Sequence, residues 1–248
     1  HHENEIAQSE AATGVPFVNY WMHNGYVQVD REKMSKSLGN FFTIREILAR
    51  DSSPHRMGEI VRFMLLASHY RSPLNFSINS LDNAQASLTR LYLALDKVGV
   101  CIAKNDAWQE SEYWKAFHAA MADDFNTPDA ISVLFNLARE LNRMADRGQV
   151  GHARELCGQL IALAGILGLL YQDPETFLKG LGNTEEPASL LKAEWIEQQI
   201  HERSIAREQG DWKRADQIRV GLSDQGVVLE DRSDGTTSWR LERIYTSK

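Results

Sequence analysis

Between Asp30 and Asn40 the chain reads DREKMSKSLGN, with Lys33 and Lys36 three apart and Ser35 and Ser37 interleaved. Two lysines at that spacing, on a segment too short to hide either, can both approach one polyanion. The serine hydroxyls and backbone N–H groups between them add donors for phosphate oxygens. Gly39 lets the backbone come close or adopt a positive φ. Such a loop suits the negative charge that builds on a triphosphate while a carboxylate attacks its α-phosphorus, because electrostatic placement is most of what a protein contributes to that chemistry. Lysine–serine pentamers also arise by chance, so the string alone is a weak signal. A second pair, His1 and Glu5, is four apart, which on a helix sets an imidazole and a carboxylate on one face, able to share a metal ion. Surface pairs at i, i+4 are common too, and a His-His start also fits the remnant of an affinity tag. A third group is Arg203, Arg207, Lys213, Arg214 and Arg219, with Trp212 and Trp239 nearby in sequence. Cations, aromatic faces and acidic acceptors together can meet splayed nucleic-acid bases. The plainer alternative is a solvated helical face over core tryptophans.

Elements must position these residues. Phe17–Val29 (FVNYWMHNGYVQV) is aromatic and β-branched around Asn-Gly and predicts strand, turn, strand, with the lysine–serine run as the loop that follows. Tyr20, Trp21 and His23 within it either line a small-molecule pocket or form a buried apolar strand. Thr43 with Glu46 three residues on predicts a capped short helix, IREILAR, before Asp51–His55 breaks the chain. Met57–Tyr70, Leu81–Ala103, Trp108–Met121, Pro128–Asp146 and Val150–Tyr171 carry apolar residues at three and four, as in Leu88, Leu91, Tyr92 and Leu95, and predict a helical bundle. Thr127-Pro128 marks one of its helix starts. Gly180–Pro187 reads as a linker. Two further helical patterns, Leu190–Gln209 and Asp211–Ser223, flank Gly210, and Val227–Glu230 with Thr237–Leu241 around Asp234-Gly235 reads as a β-hairpin.

The 248 residues are 43% hydrophobic and 25% charged, enough core-forming material for one or two globular domains rather than a disordered tail. The net charge of -7 excludes a uniformly basic nucleic-acid binder, so any such contact is local. Residues 190–248 hold ten Lys/Arg and eleven Asp/Glu, less acidic than the whole yet not basic. Cys101 and Cys157 are far apart without a CxxC pairing; they predict core thiols in a reducing cytoplasm rather than a disulfide framework. No apolar run is long enough to span a bilayer and no signal-peptide pattern opens the chain. The chain starts at His1 with no Met, which fits processing or the back part of something longer.

KMSKS with its trailing Leu-Gly-Asn resembles the second ATP-binding motif of the class I aminoacyl-tRNA synthetases. HHENEIAQSEA, NYWMHNG, VDREKMSKSLGN and HYRSPLNFS, read together, are similar to cysteinyl-tRNA synthetases. DDFNTPDAISVLF, GVVLED and GTTSWR carry the resemblance nearly end to end. The resemblance implies a mainly α fold with small α/β parts: the end of a Rossmann-like catalytic core (1–56), an antiparallel, DALR-like helical bundle that contacts tRNA (57–180) and a small mixed α/β anticodon-binding domain (188–248). It implies ATP-dependent ligation of L-cysteine to tRNA(Cys) through a cysteinyl-adenylate, with Mg2+ accompanying ATP. Lys33 and Lys36 would be catalytic, and Lys33, Met34, Ser35, Lys36 and Ser37 would form the loop that closes over ATP. His1 and Glu5 would be zinc ligands, completed by cysteines from an earlier half. Zinc accepts a thiolate far better than a hydroxyl, which would select cysteine over serine without editing, a discrimination of roughly 10⁴ or more. The implied protein is a cytoplasmic monomer with no membrane contact.

Two departures qualify the resemblance. Nothing like the HIGH motif is present, so the chain by itself is expected not to activate an amino acid efficiently. The stretch from Asp51 to Met57 is longer than the turn usual in the family, which leaves the following helix's geometry open. Two rivals stand: a relative that passes cysteine to an amino-sugar thiol precursor, against which the GVVLED hairpin region argues, and a non-catalytic tRNA-binding protein derived from a synthetase, in which the KMSKS loop would be idle.

Overall fold

The structure, a computed structural model, describes residues 2–35, 37, 40, 42–99, 101, 110–180, 187–232 and 235–242, with the backbone alone for residues 33 and 187–191. Helix α1 (Glu3–Thr13) buries no residue, and Gly14, in the left-handed region at φ 72°, ends it by donating its N–H to the Glu10 carbonyl. From there to Tyr26 the backbone is extended or bent without strand pairing, which corrects the strand–turn–strand expectation for Phe17–Val29. Composition in that segment favours a strand, but a strand needs a partner, and the described residues supply one only from Val27 onward. β1 (Val27–Val29) lies at the centre of a three-stranded sheet, antiparallel to β2 (Glu32–Lys33) and parallel to β3 (Leu74–Phe76).

Between β2 and β3 run α2 (Ile44–Leu48) and α3 (Pro54–Leu66). Thr43 and Glu46 close the expected capping box on α2, with the Thr43 N–H donating to Glu46 Oε2 at 2.7 Å. The long stretch from Asp51 to Met57 resolves into a cap: Ser53 Oγ accepts from the Arg56 N–H, and Pro54 occupies the first turn, where it needs no N–H partner. β3 has no counterpart among the expected strands, being three residues paired to a segment 47 positions earlier.

The bundle follows: α4 (Ile78–Val98), α5 (Glu112–Ala122), α6 (Thr127–Asp146), α7 (Val150–Ile166) and the short α8 (Pro174–Lys179). α6 starts at Thr127-Pro128 as expected, and Asn126, which the sequence reading did not single out, caps it by accepting from the Asp129 N–H. Leu81, Leu88, Leu91 and Leu95 of α4 meet Leu134, Leu137 and Leu141 of α6 and Leu156, Leu160 and Leu163 of α7 in one apolar core that also takes in Met57 and Ile60 of α3. Charged groups are buried alongside it. Glu59 accepts from the Tyr92 hydroxyl at 2.8 Å, from Gln172 Nε2 at 2.6 Å and from the Leu170 N–H at 2.6 Å. Arg56 and Asp51 pair at 3.0 Å with both side chains buried.

The last unit is α9 (Pro187–Glu208), α10 (Trp212–Asp224) and the antiparallel hairpin of β4 (Val227–Asp231) and β5 (Thr237–Leu241). Asp234, at the tip of the expected hairpin, and residues 181–186 of the expected linker lie outside the described residues, while Pro187 already belongs to α9. Ile196, Leu222, Val227 and Trp239 make a separate small core. This unit meets the bundle through Leu241 against Gly180 and the ion pairs Lys179–Glu197 and Asp96–Arg232. No helix among the described residues is long and apolar enough to cross a membrane.

One expectation about the cysteines is overturned. Cys101 and Cys157 are joined as a disulfide with their Cα atoms 5.2 Å apart. Their separation in sequence hides a proximity created by the antiparallel return of α7 alongside the end of α4.

Candidate nucleotide loop and nucleic-acid cleft

The loop with KMSKS is launched by a tight hairpin. Asp30 (φ 50°) and Arg31 (φ 66°) are both in the left-handed region, as a two-residue turn between twisted strands demands, yet neither is glycine. Their backbone is held from β3: the Asp30 N–H donates to the Phe76 carbonyl at 3.1 Å and the Arg31 N–H to Asn75 Oδ1 at 2.7 Å. Val29 is buried beneath. β2 therefore leaves the sheet in a fixed direction, and the lysine–serine run starts from a rigid base.

Met34 packs against the main core, so the second residue of KMSKS anchors the loop from within. The Ser35 N–H donates to Asn40 Oδ1 at 2.8 Å, and the Ser35 and Ser37 hydroxyls lie 3.1 Å apart. Asn40 thus ties the segment that follows KMSKS back to Ser35. Lys36 lies outside the described residues, as does the side chain of Lys33; Ser37 is exposed.

Of the two expected metal ligands, His1 also lies outside the described residues. Glu5 is exposed on α1, 3.7 Å from His2 Nδ1. Among the described residues no group of three or more His, Cys, Asp or Glu is arranged to hold a metal ion. The neighbours form an aromatic panel instead. His2, Trp21 and His23 stack at centroid distances between 5.7 and 6.2 Å, and Phe17 meets Trp21 edge-on at 5.8 Å. Trp21 is 46% and Tyr20 88% exposed, which sets aside the buried-strand alternative for these residues.

At the other end of the chain α9, α10 and β4 enclose an open cleft of about 630 Å³, lined by Arg203, Arg207, Trp212, Lys213, Asp216, Arg219 and Asp231. Gly210, at φ 75°, turns the chain between α9 and α10, and Asp211 caps α10 by accepting from the Arg214 N–H. Trp212, Asp216 and Arg219 then recur at i, i+4 and i+7 on one helical face. Arg203 grips Asp231 through two bonds of 2.9 and 3.0 Å, with Arg207 adding a third at 3.2 Å and the Thr237 hydroxyl a fourth at 2.8 Å. The Arg203 guanidinium, then the Thr237 hydroxyl, hold the Asp231 carboxyl far below the usual carboxylate range. Asp231 therefore stays ionised, its two oxygens taken up by four donors, and it holds Arg203 and Arg207 at the cleft wall. Asp216 is the exposed carboxylate of the cleft, beside an indole that is 65% exposed.

Sequence reasoning finds four of the cations and Trp212. The structure sends the other two candidates elsewhere: Arg214 pairs with Glu202 at 3.4 Å, and Trp239 is buried, its Nε1–H donating to Glu197 at 2.7 Å. It adds Asp216 and Asp231. The only sequence signal for Asp216 is its i+4 spacing from Trp212; Asp231 has none, since its role comes from pairing with an arginine 28 residues away.

Comparison with known proteins accords with this arrangement. Residues 1–86 match the class I (C) catalytic domain of tRNA synthetases, residues 116–172 the DALR domain, and residues 194–240 the cysteinyl-tRNA ligase anticodon-binding domain. The chain is 56% identical over 242 residues to the cysteine–tRNA ligase of Thioalkalivibrio sulfidiphilus, covering 97% of this chain and 49% of that protein. It is 52% identical over 240 residues to the cysteine–tRNA ligases of Burkholderia orbicola and Burkholderia multivorans, covering 97% of this chain and 48% of each. The chain spans about half the length of these relatives. Three successive domain matches and identities above one half leave one conclusion: the chain belongs to the cysteine–tRNA ligase family.

Proposed function

We propose that this chain supplies the KMSKS loop and the RNA-binding units of an enzyme that ligates L-cysteine to tRNA(Cys) at the expense of ATP, in the cytoplasm and as a monomer. The observation that carries the reading is the cleft at α9, α10 and β4. An open indole, the exposed Asp216 carboxylate and four cations in one concavity answer the three needs of a splayed anticodon base: a face to stack on, an acceptor for an exocyclic amino group and charge for the phosphate. The division into 1–56, 57–180 and 188–248 belongs to the same proposal. The bundle lies along the inner side of the tRNA and spaces the cleft from the loop.

At the loop, Lys36 neutralises the triphosphate as the adenylate forms, supported by Lys33, Ser35 and Ser37, with Mg2+ accompanying ATP. Met34 serves as the loop's root in the core rather than as a ligand. His1 and Glu5 fit a partial set of zinc ligands, completed by residues this chain does not supply; when bound, zinc offers a position that a thiolate fills far better than a hydroxyl. The chain's own residues at that point supply the stacked panel of His2, Trp21 and His23, an exposed aromatic face for the remainder of the catalytic domain. Alone, the chain binds tRNA but does not activate cysteine.

Binding of a tRNA(Cys) transcript to this chain tests the reading. Trp212→Ala removes one stacking platform, worth about 1–3 kcal/mol per base, so affinity falls roughly 5- to 150-fold while the melting temperature, set by an exposed residue, stays put. Equal affinity of the variant would remove the cleft from the RNA path. In the complete enzyme, cysteine-dependent pyrophosphate exchange unchanged by Lys36→Ala would overturn the loop assignment, and exchange with serine as fast as with cysteine would overturn the metal assignment.

A further inference from the structure

The disulfide between Cys101 and Cys157 belongs to neither site, and nothing in the RNA reading requires it. We infer that the two cysteines form a reversible modification site, a dithiol–disulfide couple that exchanges with small disulfides of the glutathione type. Three observations carry this. Their Cα atoms stand 5.2 Å apart, within the span a disulfide bridges without moving the backbone. The approach is built by the fold: Gly99, at φ 71°, ends α4 and turns the chain so that Cys101 meets α7. The partners differ in access, Cys157 being fully buried and Cys101 partly exposed, so one sulfur can be attacked from solvent and the other only from within.

The bond is not what holds the bundle together. The core of α3, α4, α6 and α7 is continuous without it, and reduction leaves Cys157 as one more small apolar residue among leucines. Both redox states therefore have a stable fold, as an exchanging couple needs. A lone bridge in a chain with a large core is the kind that forms transiently in a reducing compartment, unlike the dense frameworks of small secreted domains.

In the oxidising direction the Cys101 thiol loses its proton, and the thiolate attacks one sulfur of glutathione disulfide. One glutathione thiolate leaves, and a mixed disulfide remains on Cys101. The Cys157 sulfur, already beside it, gives up its proton and displaces the second glutathione. Two protein thiols are oxidised to one disulfide, and one glutathione disulfide is reduced to two glutathiones. The bridge closes the 56-residue separation that contains α5, α6 and half of α7, so the oxidised chain has fewer unfolded conformations to gain.

The native chain, equilibrated in glutathione buffers of stepped ratio, quenched with acid, alkylated in denaturant so that Cys157 is reached, and weighed by intact mass spectrometry, tests the inference. Two alkylated thiols at the reducing end should give way to none at the oxidising end in one transition. The oxidised chain should melt roughly 5–15 °C above the reduced one. Cys101→Ser should abolish both the transition and the melting difference while leaving tRNA binding intact, which separates this inference from the cleft assignment. Two alkylatable thiols at every ratio would overturn it, as would a bridge that opens only in denaturant or a bound glutathione that is never displaced.

Discussion

Glu59 shows how a single group can set the behaviour of the bundle. Burial pushes its carboxyl above the usual glutamate value of 4.5, against the opposing pull of Gln172, the Leu170 N–H and the Tyr92 hydroxyl. A carboxyl whose folded value exceeds its unfolded one binds its proton more tightly in the folded state. Its stabilising contribution is whole below pH 4.5 and is lost as pH rises through the raised value. Between pH 4.5 and neutrality, the stability of the chain should therefore decline relative to Glu59→Gln, which cannot titrate; denaturant melts at both ends of that range measure the difference. Equal slopes for the two proteins would show that the three donors, not desolvation, govern this site. Glu59→Ala is harsher, since it strands a hydroxyl, an amide and a backbone N–H in the core, and should cost about 2–4 kcal/mol at any pH. Asp231 illustrates the reverse arrangement. Its carboxyl is held low by Arg203, so it stays an acceptor throughout the physiological range, and no sequence rule assigns it that role.

Elements are legible in proportion to how local their causes are. The long helices announce themselves because their apolar residues repeat along one face, and start signals such as Thr43 with Glu46 or Thr127-Pro128 sit next to the helices they open. β3 and β1 are three residues each and owe their pairing to a contact 47 residues apart, so composition misplaces the strands toward the aromatic stretch before them. The six-residue α8 is too short for a periodic signal. The loop is legible through its residue types, whereas the cleft's acceptors and the Cys101–Cys157 bridge depend on which elements come to lie side by side. The pairing of β1 with β3 rests on Gly25. Its N–H donates to the Tyr70 carbonyl at 2.7 Å, and a Cβ there would stand 2.2 Å from the Ser72 carbonyl oxygen, with only backbone to yield. Gly25→Ala should force the 69–73 turn away from the strand, cost about 2–4 kcal/mol and loosen the Asp30-Arg31 turn that β3 holds. Hydrogen exchange at the Asp30 and Arg31 amides would rise by an order of magnitude or more; unchanged protection there would disconnect the strand from the loop.

At the scale of the whole molecule two cores of unequal size share one chain. The larger is built from α3 to α8, whereas Ile196, Leu222, Val227 and Trp239 hold the smaller unit, and a unit of that size has little stability to spare. The seam adds Leu241 against Gly180, the Lys179 ammonium over the Trp239 ring, a Gln85 Nε2–H to the Glu242 carbonyl, and two ion pairs, Lys179–Glu197 and Asp96–Arg232, of a kind worth at most about 1 kcal/mol each where solvent reaches them. The two units should therefore unfold separately, and Trp239 is the residue that can show it. Its ring fills the small core and lies 5.2 Å from the Lys179 ammonium, and its Nε1–H donates to Glu197 of α9. Trp239→Ala removes a buried indole at a cost of about 3–5 kcal/mol, which matches or exceeds what the small core can supply. Amides of α9, α10, β4 and β5 should lose their protection from hydrogen exchange, and tRNA binding should go with them, because Asp231 and Arg203 no longer face Trp212. Amides of α4, α6 and α7 should exchange as slowly as before, since the buried leucines that protect them belong to the larger core. Protection lost in both units at once would mean that the seam, despite its few contacts, couples them into one cooperative body.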